Sequence, residues 1–335
     1  MSKVSEDFAI YPVDLSSQDT LTDIVSLLTS FLPLSLPVLG SIIQATPDQF
    51  KSESPSPLTA WSSFPFASNG ENVQVPSLWS VIVQLPQRDG GQCRFFCSAE
   101  SSSSAPTEEE ETHVVRVLEA YVLQPSEAEP EDAVQQKIMV GTVHDKWLSC
   151  LLPYTSYTGL CRKFLLPPSS SIPPPPPGPL DEEVVSSQVQ PHDVTAIRST
   201  SGIPRSEEYV LSRSRTSVCL RRKSGGPDDA VAWALLHSDG SVGTLHVVPE
   251  FRKRRLGQRV VRELVDAVHA PLEGTVGAEI GARIGTGQLG GAAVGWNFTD
   301  VVRGNETGEG FFRALAGWRE GWVCHWMLLS ARKIA

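Results

Sequence analysis

Apolar residues recur at helical spacing over residues 21–32 and again over 112–123 (THVVRVLEAYVL). A 3.6-residue period of this kind predicts amphipathic helices. Between them the period changes. Short apolar runs at 78–85 (LWSVIVQL) and 93–97 flank Asp89-Gly90-Gly91, which predicts two strands and a tight turn. Helix, hairpin, helix is the order expected of an α+β module. Residues 24–45 are apolar but carry Pro33 and Pro37, so they predict a core helix followed by a turn rather than a membrane span.

The C-terminal part alternates more sharply. Ser206 opens a helix over 206–212, with acidic residues in its first turn. Strands are predicted at 217–221, 230–237 and 242–248. The first two are joined through Ser224-Gly225-Gly226-Pro227, the last two through the Asp-Gly turn Ser238-Asp239-Gly240-Ser241. Leu256, Val260, Val261, Leu264, Val265 and Val268 then share one helical face over 256–268. Residues 274–291 are glycine-rich and predict a flexible loop. A strand at 294–302, a short helix at 308–316 and a last strand at 322–329 complete the chain.

Composition divides this pattern in two. Residues 167–183 (PPSSSIPPPPPGPLDEE) contain five consecutive prolines, as an extended linker does. The polar run 101–111 (SSSSAPTEEEE) cannot bury apolar surface. At about 150 residues per domain, the chain reads as an N-terminal α+β module (1–165), a proline-rich linker (166–190) and a C-terminal domain (191–335). The net charge of −10 hides an asymmetry. Residues 1–190 hold 9 Lys/Arg against 23 Asp/Glu, a net of −14; residues 191–335 hold 19 against 15, a net of +4. An anionic ligand is expected on the positive half. The six cysteines form no Cys-x-x-Cys pair, so they read as buried free thiols of a reducing compartment and no metal site is expected. The opening MSKVSEDFAI lacks the order of a signal peptide. An intracellular, cytoplasmic protein without membrane partners is the expectation.

The chemistry concentrates where the strand at 242–248 meets the helix at 256–268. Between them lie Arg252, Lys253, Arg254 and Arg255. A helix start carries unpaired amides and the positive end of the dipole, a ready anion site. Four basic residues there suit a phosphate or diphosphate. Nucleic acid is the poorer match, because the chain is acidic overall and the basic run lacks interleaved aromatics. The glycine-rich 285–291 (GTGQLGG) lacks the Lys-Ser/Thr of a phosphate-binding loop.

The sequence LHVVPEFRKRRLG, with the preceding AWALLHSDGSVG and the later DVVRGN, FFRALAGW and WVCHWM, resembles the GNAT acyltransferases, in particular their glycine N-acyltransferase-like branch. The resemblance covers about residues 193–335. It implies a GNAT fold, a mixed, mostly antiparallel sheet flanked by helices, preceded by a degenerate GNAT-like N-terminal module. It implies an N-acyltransferase that moves an acyl group from acetyl-CoA or another acyl-CoA to an amine, a small molecule rather than a protein. His246, Val247 and Val248 would present free backbone groups to the pantetheine arm. Arg252, Lys253, Arg254, Arg255, Leu256, Gly257 and Gln258 would wrap the diphosphate. Asn305 and Phe312 would lie near the thioester.

Three positions depart from the family pattern. Arg255 stands where the first signature glycine is expected, and Phe312 where relatives carry the Tyr that protonates the leaving thiolate. Ser241 stands where a catalytic Glu often lies. Asp239 and His246 remain as candidate bases. A non-catalytic CoA-binding or scaffolding module is the alternative that these departures allow.

Overall fold

The computed structural model describes residues 8–51, 54, 57–66, 74–123, 137–168, 183–223, 229–284 and 289–334. The five prolines of the linker, the expected turn Ser224-Gly225-Gly226-Pro227 and residues 285–288 of the glycine-rich run lie outside these residues.

Both halves open on the succession β-α-α-β-β-β-α and then add two closing strands. In the first half it runs β1 (Tyr11–Pro12), α1 (Gln18–Thr29), α2 (Leu36–Ile43), β2 (Thr59–Ser62), β3 (Ser80–Gln84), β4 (Cys93–Cys97), α3 (Glu108–Val122), β5 (Lys137–His144) and β6 (Thr155–Leu166). In the second it runs β7 (Val184–Ser187), α4 (Val194–Thr200), α5 (Glu207–Ser212), β8 (Ser217–Arg222), β9 (Ala230–Leu236) and β10 (Val242–Val247). There follow α6 (Leu256–Ala267), α7 (Val276–Arg283), β11 (Asn297–Val302), α8 (Glu306–Ala314) and β12 (Arg319–Ser330).

Two sheets result, in the orders β1-β2-β3-β4-β5-β12-β6-β11 and β10-β9-β8-β7. All pairings are antiparallel except β4 with β5. The closing strands are exchanged between halves. β6, from the first half, pairs with β11 of the second. β12, the last strand, pairs with β5 and β6.

Packing follows the sequence pattern closely at α6. Val260, Val261 and Leu264 are fully buried against β8 and β9, with Leu256 and Val265 beside them. Each such side chain stabilises the fold by about 1.5–3 kcal/mol. On the opposite face of the same strands, Trp233, Cys219 and Leu235 pack against Ile197, Tyr209 and Val210 of α4 and α5.

One expectation is corrected. The glycine-rich stretch 274–291 is no simple flexible loop, because it contains α7. Val276 and Ile280 are fully buried in a core cluster shared with α1 and α2. Gly277 serves close packing: a Cβ there would lie 3.0 Å from the Leu289 carbonyl oxygen and 3.2 Å from that of Ile43. The first helix pair was also only half legible, since α2 starts after the Pro33 turn where a plain turn was expected. No helix among the described residues is long and apolar enough to cross a membrane.

Candidate functional site

Strand β10 is the edge of the four-stranded sheet and β11 the edge of the eight-stranded one. A single parallel bridge, Ser241 to Phe298, holds them together. Among the described residues no further ladder pair joins the two strands, so beyond the bridge they open as a V. A bulge in β10 between Gly243 and His246 places Thr244 at φ 53°.

The V opens toward the basic loop. A short turn (Pro249–Phe251) leads into exposed Arg252, Lys253, Arg254 and Arg255. Lys253 (φ 61°) and Arg255 (φ 65°, ψ 8°) are both left-handed, and Arg255 is the N-cap of α6. No side chain caps this helix. The first helical bond runs from the Arg259 amide to the Arg255 carbonyl (3.1 Å), so the amides of Leu256, Gly257 and Gln258 precede it. Such amides, beside four cations, favour an anion. Arg252 Nε donates to the Val247 carbonyl (3.0 Å) and ties the loop to the end of β10. Gly257 lets the helix approach closely, since a Cβ there would stand 3.2 Å from the Phe311 ring and 3.5 Å from Val247.

The first half carries the same junction with the opposite charge. Strand β4 leads to α3, whose first turn is Glu108, Glu109, Glu110 and Glu111. Thr107 caps it and Glu110 bonds back to the Thr107 amide (2.8 Å). Four carboxylates and a closed capping box exclude a phosphate there.

A pocket of about 120 Å³ lies at the V, lined by Thr244 of β10, Asp300 and Val302 of β11, and residues of both halves. Arg94 of β4 reaches across Trp326, 4.7 Å from its ring centroid, to Asp239 (Nε to Oδ2, 2.8 Å). Asp239 also accepts from the Ser241 amide (3.0 Å) and hydroxyl (2.6 Å). Burial alone would raise the Asp239 pKa; Arg94, His237 and the Ser241 hydrogen bonds outweigh it and hold the carboxyl below its ordinary range. Lys163, fully buried, pairs with Asp300 at 2.6 Å. Burial opposes its charge, and Asp300 more than compensates, so its pKa is raised.

His237 lies in the same pocket, its Nδ1 hydrogen-bonded to the Tyr209 hydroxyl. Burial, helped by Arg205, pushes its pKa down to about 3, so the ring is neutral. Gly243 makes room for it: a Cβ at that position would stand 2.1 Å from His237 Nε2.

The expected site residues separate into groups. His246, Val247 and Val248 end β10 beside the loop. His246 stacks on Trp233 (4.8 Å, 19°), outside the pocket wall, and burial followed by Arg252 lowers its pKa. Asp239 is in the pocket, but its carboxylate is engaged. Asn305 is the N-cap of α8 and accepts from the Gly308 amide (3.0 Å). Phe312 is in the core, stacked on Phe164 (5.8 Å) and against Trp318 (4.9 Å). Helical spacing turns it inward, and Phe311 is the residue beside Val247 and Gly257. Asp89, Arg94, Lys163, Tyr209, His237 and Asp300 escaped the sequence reading. The one available signal was the repeated Asp-Gly of the two hairpin turns.

The FR47-like protein family model matches residues 217–283, which run from β8 to the end of α7. No curated protein matches the chain. A crystal structure of a Drosophila protein is similar at 15% identity and a TM-score of 0.57, covering 97% of this chain and 99% of that one. A GCN5-related N-acetyltransferase from Sphaerobacter thermophilus aligns at 13% identity over 78% of this chain and 83% of its own, with a TM-score of 0.42. An α+β architecture, with a largely antiparallel sheet flanked by helices and parted between β10 and β11, matches a GNAT-like fold.

Proposed function

We propose that the C-terminal half binds an acyl-CoA and transfers its acyl group to the amine of a small molecule. The observation that carries this reading is the V between β10 and β11, which joins a basic, uncapped helix start to a pocket. Arg252, Lys253, Arg254 and Arg255, with the amides of Leu256, Gly257 and Gln258, would hold the diphosphate. The edge of β10 at His246, Val247 and Val248 would receive the pantetheine arm, pairing through groups other than the Val248 amide, which donates to the Val231 carbonyl (3.0 Å), and Asn305 would flank its thioester end. The bulge at Thr244 would set the acyl group against the pocket. There the amine nitrogen attacks the thioester carbonyl carbon, the C–N bond forms, the C–S bond breaks, and the amine proton leaves as CoA departs as a thiol. With Asp239 ion-paired and His246 outside the pocket, proximity and a polarised carbonyl supply most of the acceleration. Resemblance to the glycine N-acyltransferase-like branch directs the acceptor search to small amines such as amino acids, with acetyl-CoA the first donor to try.

Calorimetric titration with CoA tests the binding step. Saturable binding to the unmodified protein is expected, weakened by about 1–3 kcal/mol in Arg252→Ala, as for a hydrogen bond to a charged group. Arg252 is exposed, so the variant should fold as the parent does. No binding at millimolar CoA would end the assignment. Binding without amine-dependent CoA release would establish the second reading, a non-catalytic CoA module, which the core position of Phe312 and the engaged Asp239 favour.

A further inference from the structure

Two hairpin turns close on the pocket, one from each half, and each carries Asp-Gly. Asp89 lies between β3 and β4, Asp239 between β9 and β10, and both line the cavity and are buried. Their surroundings differ. Asp239 is satisfied by Arg94 and Ser241. Neither carboxylate oxygen of Asp89 has a hydrogen-bond partner. Its nearest cation is Arg213, with Nη2 at 3.9 Å from Oδ1, beyond hydrogen-bond reach. Arg94 is committed elsewhere, through Nε to Asp239 and through Nη1 to the Cys93 carbonyl (3.1 Å).

A buried carboxylate without hydrogen bonds destabilises the fold that contains it. Among the other charges lining the cavity, Arg94 pairs with Asp239 and Asp300 with Lys163, while Arg205 lies over the Tyr209 ring at 4.7 Å. Among the described residues in the wall of this space of about 120 Å³, Asp89 is the acid whose two carboxylate oxygens both lack a hydrogen-bond partner. A small cation bearing several N–H donors satisfies both its charge and its lone pairs.

We propose that Asp89 anchors the acceptor, its carboxylate receiving the N–H groups of a small primary ammonium, so that a residue of the N-terminal half completes the acceptor site of the C-terminal half. This inference rests on the acyl-transfer reading of the V. The role is in binding and orienting the amine beside the acyl group; one ammonium proton passes to solvent before the neutral nitrogen attacks, and a second leaves with CoA as its thiol.

The test compares the full-length protein with Asp89→Asn, an isosteric change. Propylamine and ethanolamine serve as acceptors with acetyl-CoA as donor. Asp89→Asn should raise the amine KM about ten-fold or more, the loss of one charged hydrogen bond. It should leave the acetyl-CoA Kd within two-fold, and it should keep or raise the melting temperature. An unchanged amine KM would overturn the proposal. A lowered melting temperature would overturn it as well, since it would make Asp89 a structural partner of Arg213. If the parent binds no acetyl-CoA, the acyl-transfer reading falls by itself. The amine-dependent rise in melting temperature, parent against Asp89→Asn without donor, then decides on Asp89: a rise confined to the parent supports it, and equal or absent rises refute it.

Discussion

Arg255 holds a left-handed backbone at the N-cap of α6, with φ 65°. That conformation costs a non-glycine residue about 1–2 kcal/mol, and glycine adopts it freely. Strain of this kind persists where the surroundings use it. Arg255→Gly is therefore expected to raise stability by about 1 kcal/mol in urea unfolding and, on the proposed reading of the loop as the diphosphate site, to weaken CoA binding in calorimetry, because a guanidinium is lost there. Stability without any gain would mean that the side chain's present contacts already offset the strain. This position was legible in the sequence, because a glycine is expected at that point of the signature and an arginine stands there. Gly257 and the basic run were legible for the same local reason. Asp89 was not. What distinguishes it from any turn aspartate is burial without a hydrogen-bond partner, and both are properties of a pocket assembled from residues far apart in sequence. Tyr209 and His237 were hidden likewise, one inside a predicted helix and the other ending a predicted strand, with nothing local to bring them into hydrogen-bonding contact.

At the level of elements, strong periodicity was sufficient and glycine was misleading. Helix α6 and strands β9 and β10 lie within a residue or two of their predicted bounds, because a one-sided apolar stripe and an Asp-Gly turn are local signals. Helix α3 starts earlier than its apolar residues do, since Thr107 and Glu110 cap it ahead of the first buried position. Helix α7 escaped the sequence reading because its glycines suggest freedom, whereas Gly277 is held between α2 and Leu289. This yields a reversal of sign. Gly to Ala inside a helix usually stabilises by about 1 kcal/mol. Here the new methyl would press on two backbone carbonyls, and overpacking costs about 1–3 kcal/mol. Gly277→Ala should consequently destabilise the protein or leave no gain, read as a lower denaturation midpoint. A clear rise would show that residues 276–283 do not pack against α2.

The exchange of closing strands makes the whole molecule one cooperative object. Strand β12 bonds to β5 of the first half, β6 bonds to β11 of the second, and Arg94 reaches from one half to Asp239 in the other. Neither exchange was legible, because pairing between strands so distant in sequence leaves no periodic mark. Titrations in either half should then act on one unfolding transition. Burial pushes His113 and His144 down to about 4 and, with Arg205 adding to burial, His237 to about 3, from an ordinary value of about 6.5. Between these values the unfolded chain holds protons on three histidines that the folded chain rejects, so stability rises with pH. Glu100 works in the opposite sense. Burial raises it to about 8 despite hydrogen bonds from Trp147 and the Cys97 amide, so the folded chain keeps a proton that the unfolded chain loses above about 4.3. Asp89, also raised by burial, adds to Glu100. Up to about pH 6.5 these two carboxyls at most oppose three histidines, and stability should climb. As pH passes about a unit beyond that value, the unfolded chain's histidines also become neutral. Glu100, with Asp89 acting in the same sense, is then unopposed, and stability should fall as pH rises toward 8. The decline should steepen past about pH 9, because burial raises thiols such as Cys97 and Cys219 to about 12 and the unfolded chain ionises them first. Urea midpoints across this range should trace a single transition with its maximum near pH 6.5. A midpoint that keeps rising from pH 6.5 to 8 would contradict the protonated Glu100, and two separate transitions would contradict the cooperative unit itself.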